Sequence, residues 1–130
     1  PVMEFRAPII MIKDIEKNTY VGYNRTFCSN KKMRIALIQA GYADGIKTTF
    51  SNKGYVMIHG VKAPIIGKVA FDLTTIDVTN IECNEFDYVT FWGGEYKDTR
   101  IENVAINIGM NPYELFTGIS KRVRKKYVEK

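Results

Sequence analysis

The chain has 130 residues, 45% of them hydrophobic, which is enough to bury one core and too few for two ordinary domains. Its formal net charge is +5, and all of it lies in the last ten residues, which contain six basic side chains and one acidic side chain. Residues 1–120 contain thirteen of each and are neutral. A basic tail of this kind is more typical of a solvated strand edge than of a nucleic-acid site. Two cysteines without CxxC spacing, one histidine and no apolar run near 18 residues indicate neither a disulfide framework, nor a metal site, nor a membrane span.

Segments rich in β-branched and aromatic residues predict seven strands. They cover residues 4–13, 19–27, 34–41, 55–58, 62–69, 71–78 and 87–92. His59 and Gly60 predict a tight hairpin turn, because glycine accepts the positive φ that such turns require. Seven short strands without intervening helices predict a mainly β fold, an antiparallel and partly open Greek-key barrel.

The pattern becomes helical after Gly94. Thr99 and Glu102 have the spacing of a capping box, and apolar residues follow at helical intervals until Gly109 supplies a stop. We therefore expect one amphipathic helix between Thr99 and Gly109.

A second short helix is predicted to begin at Asn111. Asn111 is the expected cap, Pro112 fits the first turn and Glu114 can reach back to the cap. Tyr113 would then lie at a helix N-terminus, which is compatible with a nearby anion. The stretch over residues 122–128 is expected to return as an edge strand.

The first of two aromatic turn motifs is Val-Gly-Tyr-Asn-Arg-Thr-Phe over residues 21–27. From the residues alone, Tyr23 is interpreted as an ordinary strand tyrosine. It alternates with Val21, Arg25 and Phe27 on one predicted strand face, and such a tyrosine is usually buried with its hydroxyl satisfied.

The second motif is Gly41-Tyr42-Ala43-Asp44-Gly45, in which a phenol again stands beside a glycine. The spacing predicts a turn that ends a strand, with Asp44 capping backbone amides and Gly45 at positive φ. Taken alone, this motif is as compatible with a purely structural role as with a functional one.

A third segment, Ala-Pro-Ile-Ile-Gly-Lys-Val-Ala-Phe-Asp over residues 63–72, completes the pattern. The three segments, in this order, resemble the C-terminal domain of the pyridoxal-phosphate-dependent alanine racemases, and the resemblance extends over residues 1–130. It implies that the pyridoxal phosphate is bound mainly by an N-terminal α/β barrel that this sequence lacks. Since the sequence begins at Pro1 and not at methionine, we expect that it was cut from a longer chain.

The resemblance implies that Tyr23 is a catalytic base. Racemisation removes a proton from one face of a planar carbon and returns one to the other face, which requires two acid–base groups. In this family one is the lysine that binds the cofactor, and the other is the tyrosine that matches Tyr23. Asn24 stands where the family often has glycine, a mild departure because asparagine tolerates a left-handed backbone. The groups that activate the phenol belong to the other domain in the family, so no such role is given to Arg25.

Three further positions acquire roles from the resemblance. Tyr42 matches the tyrosine that lines the inner end of the substrate entrance and helps select small side chains. Phe71 stands where the family has a methionine that gives its backbone N–H to the substrate carboxylate, so the change of side chain leaves the substrate's identity open. Tyr113 matches a tyrosine that hydrogen-bonds the cofactor phosphate. Four lysines could be considered for binding the cofactor, but none lies in a matching family motif, so they are interpreted as surface charges: Lys31, Lys32, Lys62 and Lys68.

The implied function is interconversion of L- and D-alanine for peptidoglycan synthesis, in a cytoplasmic head-to-tail homodimer with no nucleic-acid or membrane partner. A serine or broad-specificity racemase is the alternative within the family. Outside it, the alternatives are a non-catalytic interaction domain and a small basic barrel that binds nucleic acid through aromatic and lysine side chains.

Overall fold

The computed structural model describes residues 2–22, 25–117 and 126–128. The strands among them are β1 (Val2–Ile15), β2 (Tyr20–Val21), β3 (Phe27–Cys28), β4 (Met33–Ile38), β5 (Tyr55–Ile58), β6 (Val61–Pro64), β7 (Thr74–Asp77), β8 (Tyr88–Trp92) and β9 (Lys126–Val128). The helices are α1 (Ile101–Ile108) and α2 (Pro112–Thr117), and within the described ranges no helix has the length and apolarity needed to cross a membrane.

The main sheet is antiparallel and nearly closes into a barrel. Its strands follow the order β6-β5-β8-β1-β4-β7, with β9 added beside β1. The two ends of this order also meet, because Ile65 just after β6 bridges Ile76 of β7, and the Ile66 N–H donates to the Thr75 carbonyl at 3.0 Å. The predicted mainly β, antiparallel barrel is thereby confirmed.

The long strand β1 turns the corner of the barrel. It pairs in succession with β9, β8 and β4, and its register shifts between Phe5 and Arg6 and again between Ile9 and Met11. Such irregularities bend a strand and increase its twist, which lets one strand serve several neighbours around a closed sheet.

The barrel interior is filled by aliphatic residues around a few aromatic rings. Phe50, Phe91 and Trp92 are fully buried. Phe5 lies with its ring centroid 4.7 Å from that of Trp92, and Phe50 lies 6.2 Å from two rings, edge to face with Phe91 and stacked on Trp92. Aromatic pairs at these separations stabilise a core beyond the apolar area they bury.

A separate hairpin, β2-β3, lies on the barrel through a second apolar cluster. The cluster contains Ile15, Val21, Met33, Ile35 and Ile66, with Phe27 packed against it. Because Val21 and Phe27 pair with each other across the hairpin, the last residue of β2 and the first residue of β3 are both attached to the barrel wall.

Most turns and helix ends agree with the predictions from the sequence, and one helix start does not. His59 and Gly60 form the predicted hairpin turn with φ of 49° and 79°, and Gly109 ends α1 with φ of 73°. The capping-box prediction at Thr99 is wrong, because the buried Thr99 hydroxyl donates to the Gly93 carbonyl at 2.7 Å and α1 begins after Arg100. The predicted edge strand is found as β9 over Lys126–Val128; residues 122–125 lie outside the described residues.

Candidate active site

The first aromatic motif lies at the tip of the β2-β3 hairpin. Tyr23 and Asn24 fall outside the described residues, so the catalytic role of Tyr23 stays a prediction. The flanking residues Gly22 and Arg25 have φ of 76° and 50°. The strand predicted over residues 19–27 is wrong, because the segment contains two short strands, β2 and β3, that pair antiparallel with each other.

The Arg25 side chain lies against the first strand of the hairpin. The Arg25 guanidinium carbon lies 4.7 Å from the centroid of the Tyr20 ring, an arrangement in which the cation is attracted by the face of the ring. Arg25 therefore has an aromatic partner in β2, and its predicted strand-face relation to Tyr23 falls outside the described residues.

The backbone of the hairpin touches the loop between β6 and β7. A Cβ atom at Gly22 would lie 3.2 Å from the backbone nitrogen of Lys68, and one at Gly67 would lie 2.9 Å from the Val21 carbonyl oxygen. A side chain at Gly67 would push the segments apart, since 2.9 Å is closer than Cβ atoms are found, and the contact at Gly22 is tighter than most Cβ contacts. Two glycines thus bring the Tyr23 motif against the segment that carries Phe71.

The second motif forms a 3-10 turn over Tyr42–Asp44. The buried Asp44 carboxylate accepts a hydrogen bond from the Gly41 N–H at 3.0 Å, and Gly45 has φ of 111°. Both features agree with the roles predicted for these residues. The Tyr42 side chain points away from the core, with 45% of its surface exposed.

The second and third motifs meet directly. The Tyr42 N–H donates to the Ala70 carbonyl and the Ala43 N–H donates to the Phe71 carbonyl, both at 2.9 Å. The Tyr42 and Phe71 rings meet edge to face, with centroids 5.5 Å apart and planes at 87°. Phe71 is 55% exposed, and the prediction of a strand beginning at Phe71 is wrong because β7 starts only at Thr74. The two residues predicted to contact substrate are therefore neighbours on one surface.

Two polar side chains that the sequence did not single out hold the third motif in place. The Asn52 side-chain oxygen accepts a hydrogen bond from the Gly67 N–H at 2.7 Å, and the Ser51 hydroxyl accepts one from the Val69 N–H at 2.8 Å. Asn52 also donates from its side-chain nitrogen to the Thr26 carbonyl at 3.3 Å. The sequence Ser-Asn-Lys-Gly over residues 51–54 consists largely of residues that favour turns. This composition is the only sign in the sequence that Ser51 and Asn52 lie in a loop.

Tyr113 lies at the start of α2, as predicted. Its N–H donates to the Asn111 side-chain oxygen at 2.8 Å, and the Asn111 N–H donates to Glu114 at 3.2 Å, which confirms the predicted cap. The Tyr113 backbone N–H is thus used by the cap. Its side chain is 74% exposed, so the phenol hydroxyl is the group that can bind a ligand. Just before this helix, Met110 accepts a hydrogen bond on sulfur from Thr49 at 3.2 Å, which places the start of α2 beside the turn that leads to Asn52.

The lysines of the barrel surface lie mostly apart from this constellation. Lys62 lies 3.7 Å from an Asp98 oxygen and 4.4 Å from the centre of the Tyr55 ring. Burial raises the pKa of Tyr55 above its usual value, and the charge of Asp98 adds to the effect. Lys68 differs from the expected surface charge because it is half-buried beside Gly22. Within the described part of the chain, no cluster of His, Cys, Asp or Glu is suited to hold a metal ion.

Comparison with known proteins gives one consistent family. The family model described as alanine racemase, C-terminal domain, matches residues 2–127. The chain is 37% identical over 130 residues to alanine racemase 2 of Caldanaerobacter subterraneus subsp. tengcongensis, and the match covers 98% of this chain and 34% of that protein. The chain thus spans about a third of the length of the curated relatives it matches.

Solved structures agree with the sequence matches. The alanine racemase of Acinetobacter baumannii superposes with a TM-score of 0.86 at 37% identity, covering 94% of this chain and 33% of that one. The alanine racemase of Bartonella henselae, solved with covalently bound pyridoxal phosphate, superposes with a TM-score of 0.85 at 30% identity, covering 92% of this chain and 33% of that one.

Proposed function

The chain belongs to the alanine racemase C-terminal domain family, and we propose that it works with an N-terminal pyridoxal-phosphate-binding α/β barrel to interconvert L- and D-alanine. The observation that carries the proposal is the family match over residues 2–127. The meeting of the three motifs on one surface supports it. The nucleic-acid alternative is not favoured, because the matched relatives and structures are alanine racemases.

The residues present suit a cofactor that is held mainly by another domain. The side chains of Tyr42, Phe71 and Tyr113 are exposed by 45%, 55% and 74%, while backbone hydrogen bonds fix the segments that carry Tyr42 and Phe71 and a capping box fixes the start of α2. We propose that these exposed side chains form one wall of a site whose opposite wall belongs to another domain. Pyridoxal phosphate, when bound there, would stabilise the negative charge left on the α-carbon after a proton is removed.

In this proposal Tyr23 exchanges a proton with the α-carbon through its phenol oxygen. The first requirement is position, because an acid–base group must come within hydrogen-bond distance of the proton it moves. The attachment of Val21 and Phe27 to the barrel wall supports such a position for the hairpin tip. A phenol with a reference pKa of about 10 also needs cationic neighbours to act as a base near neutral pH, and we propose that the other domain supplies them.

The remaining site residues bind and select. We propose that the Phe71 backbone N–H binds the substrate carboxylate, that Tyr42 limits the entrance, and that the Tyr113 hydroxyl donates to the cofactor phosphate. The edge-to-face contact of the Tyr42 and Phe71 rings supports a common role in restricting side-chain size. We further propose a cytoplasmic head-to-tail homodimer in which Tyr23 of one chain reaches the cofactor of the other, providing D-alanine for peptidoglycan.

Substitution of methionine for Phe71 tests the choice between alanine and serine. Loss of the aromatic contact should free the Tyr42 ring, and such contacts contribute about 0.5–1.5 kcal/mol. We expect the ratio of kcat/KM for serine to that for alanine to rise roughly 2- to 10-fold, which is this free energy expressed as a ratio of rates. Phe71→Tyr, which keeps the ring, is the matched control. An unchanged ratio in Phe71→Met would show that the aromatic pair does not select the substrate.

The proposal is tested directly by comparing the domain with the complete enzyme. We expect the complete enzyme to racemise alanine and the 130-residue domain to be inactive. The domain should also fail to attach pyridoxal phosphate covalently, because the lysine that binds it would lie in the N-terminal barrel. The visible spectrum with cofactor, followed by borohydride reduction and mass measurement, checks this expectation. A single lysine of the domain labelled stoichiometrically would contradict the assignment of the cofactor site.

A further inference from the structure

The side chain of Asn52 connects two segments that the proposed function places on either side of the substrate. Its oxygen accepts from the Gly67 N–H at 2.7 Å and its nitrogen donates to the Thr26 carbonyl at 3.3 Å. Thr26 is three residues after Tyr23, and Gly67 is four residues before Phe71. One amide group therefore spans from the loop of the predicted base to the loop of the predicted carboxylate-binding residue.

Asn52 is itself held firmly. It occupies a turn with φ of 56°, a left-handed conformation that asparagine accepts more readily than most residues. The N–H groups of Lys53 and Gly54 both donate to the carbonyl of Phe50, at 3.2 and 2.9 Å, and the Phe50 side chain is fully buried. The amide is thus fixed to the barrel core through its own backbone.

We propose that Asn52 is a positioning residue that sets the distance between the Tyr23 hairpin and the Phe71 loop, an inference that rests on the proposed function. An amide suits this position because it carries one acceptor and one donor group, whereas a carboxylate offers acceptors only. Proton transfer depends steeply on the placement of the base. The hydrogen bond to Thr26 therefore favours the hairpin position in which Tyr23 can act.

The test compares Asn52→Asp with Asn52→Gly in the complete enzyme. Asp keeps the acceptor for Gly67 and places a negative charge against the Thr26 carbonyl, while Gly accepts the left-handed backbone and removes both bonds. For Asn52→Asp we expect solvent-deuterium exchange from L-alanine to fall roughly 3- to 10-fold, the equivalent of one hydrogen bond, with a smaller effect on exchange from D-alanine. Asn18→Asp is the matched control, because Asn18 is an exposed asparagine with φ of 67° at the other end of the hairpin.

A second measurement follows the contact itself, independent of activity. Backbone amide exchange in a peptide covering residues 65–69 should accelerate in Asn52→Gly, which loses the acceptor for Gly67, and stay slow in Asn52→Asp. If Asn52→Asp leaves exchange from both enantiomers unchanged, or slows both equally, the positioning role is overturned. If the unsubstituted enzyme does not racemise alanine, the proposed function fails instead, and amide exchange still decides whether Asn52 holds the Gly67 loop.

Discussion

Replacing Tyr23 with phenylalanine in the complete enzyme is expected to slow α-hydrogen exchange from L-alanine by roughly 10²- to 10⁴-fold, the contribution of a positioned acid–base group. Exchange from D-alanine should be affected less, because the lysine base that we propose for the N-terminal barrel would remain. The measurement is incorporation of solvent deuterium into each enantiomer separately. Asymmetry between the two is the diagnostic result, since general damage to the site would slow both.

Tyr42→Phe is the matched control for this experiment. It removes one phenol hydroxyl at the residue predicted to line the entrance, and it keeps a ring to contact Phe71. We expect altered KM without asymmetry between the enantiomers. Near-normal exchange from L-alanine in Tyr23→Phe, with circular dichroism showing an intact fold, would mean that another residue is the base.

The position of Arg25 bears on how Tyr23 would be activated. Arg25 is the arginine nearest to Tyr23 in the sequence, and its guanidinium lies over the Tyr20 ring at 4.7 Å. A cation that is stacked on a neighbouring ring has a partner already, which supports the proposal that the phenol's cationic neighbours come from the other domain. An enzyme in which Tyr23 depends on another domain for its reactivity would be inactive until the two are assembled.

Features governed by short-range signals were predictable from the sequence. The hairpin at His59, the helix α1 with its stop at Gly109, and the cap at Asn111 each depend on residues within a few positions of one another. At such places the chain needs a left-handed residue or a side-chain acceptor, and few residue types supply either. The alternation of the barrel strands was similarly local, and β5 over Tyr55–Ile58 was predicted to the residue.

Features governed by contacts between distant segments were not predictable. Gly22 lies against the backbone of Gly67, 45 positions later, a contact that the alternating pattern of residues 21–27 does not indicate. From the sequence Asn52 is an ordinary turn residue. Its hydrogen bonds to Thr26 and Gly67 are evident only in the folded structure. Thr99 has the spacing of a helix cap, but its hydroxyl donates a hydrogen bond to the Gly93 carbonyl instead. Here a contact with another segment outweighs the local preference.

The close approach of the second and third motifs leads to the other large prediction, that Gly41→Ala strongly destabilises the domain. Gly41 has φ of −144°, an extended conformation that alanine adopts without strain. The added methyl group would, however, lie 2.2 Å from the Ala70 carbonyl oxygen and 2.6 Å from the Phe71 carbonyl oxygen. These are backbone atoms that accept hydrogen bonds from Tyr42 and Ala43, so neither can move without breaking the contact between the motifs. We expect a loss of about 3 kcal/mol or more in the free energy of unfolding, the upper range for inserting a methyl group into a packed site.

Gly60→Ala separates this steric effect from the general cost of replacing a glycine. Gly60 has φ of 79° and no atom within 4 Å of the added Cβ position, so its substitution should cost only the left-handed backbone strain, about 1 kcal/mol. Urea unfolding of the domain can be followed by fluorescence of Trp92, which is the one tryptophan of the chain and is fully buried. If Gly41→Ala costs no more than Gly60→Ala, the two loops can separate freely, and the contact between Tyr42 and Phe71 is not a fixed part of the site. A larger cost at Gly41 would instead establish that this contact belongs to the folded core and orients both rings before any substrate arrives.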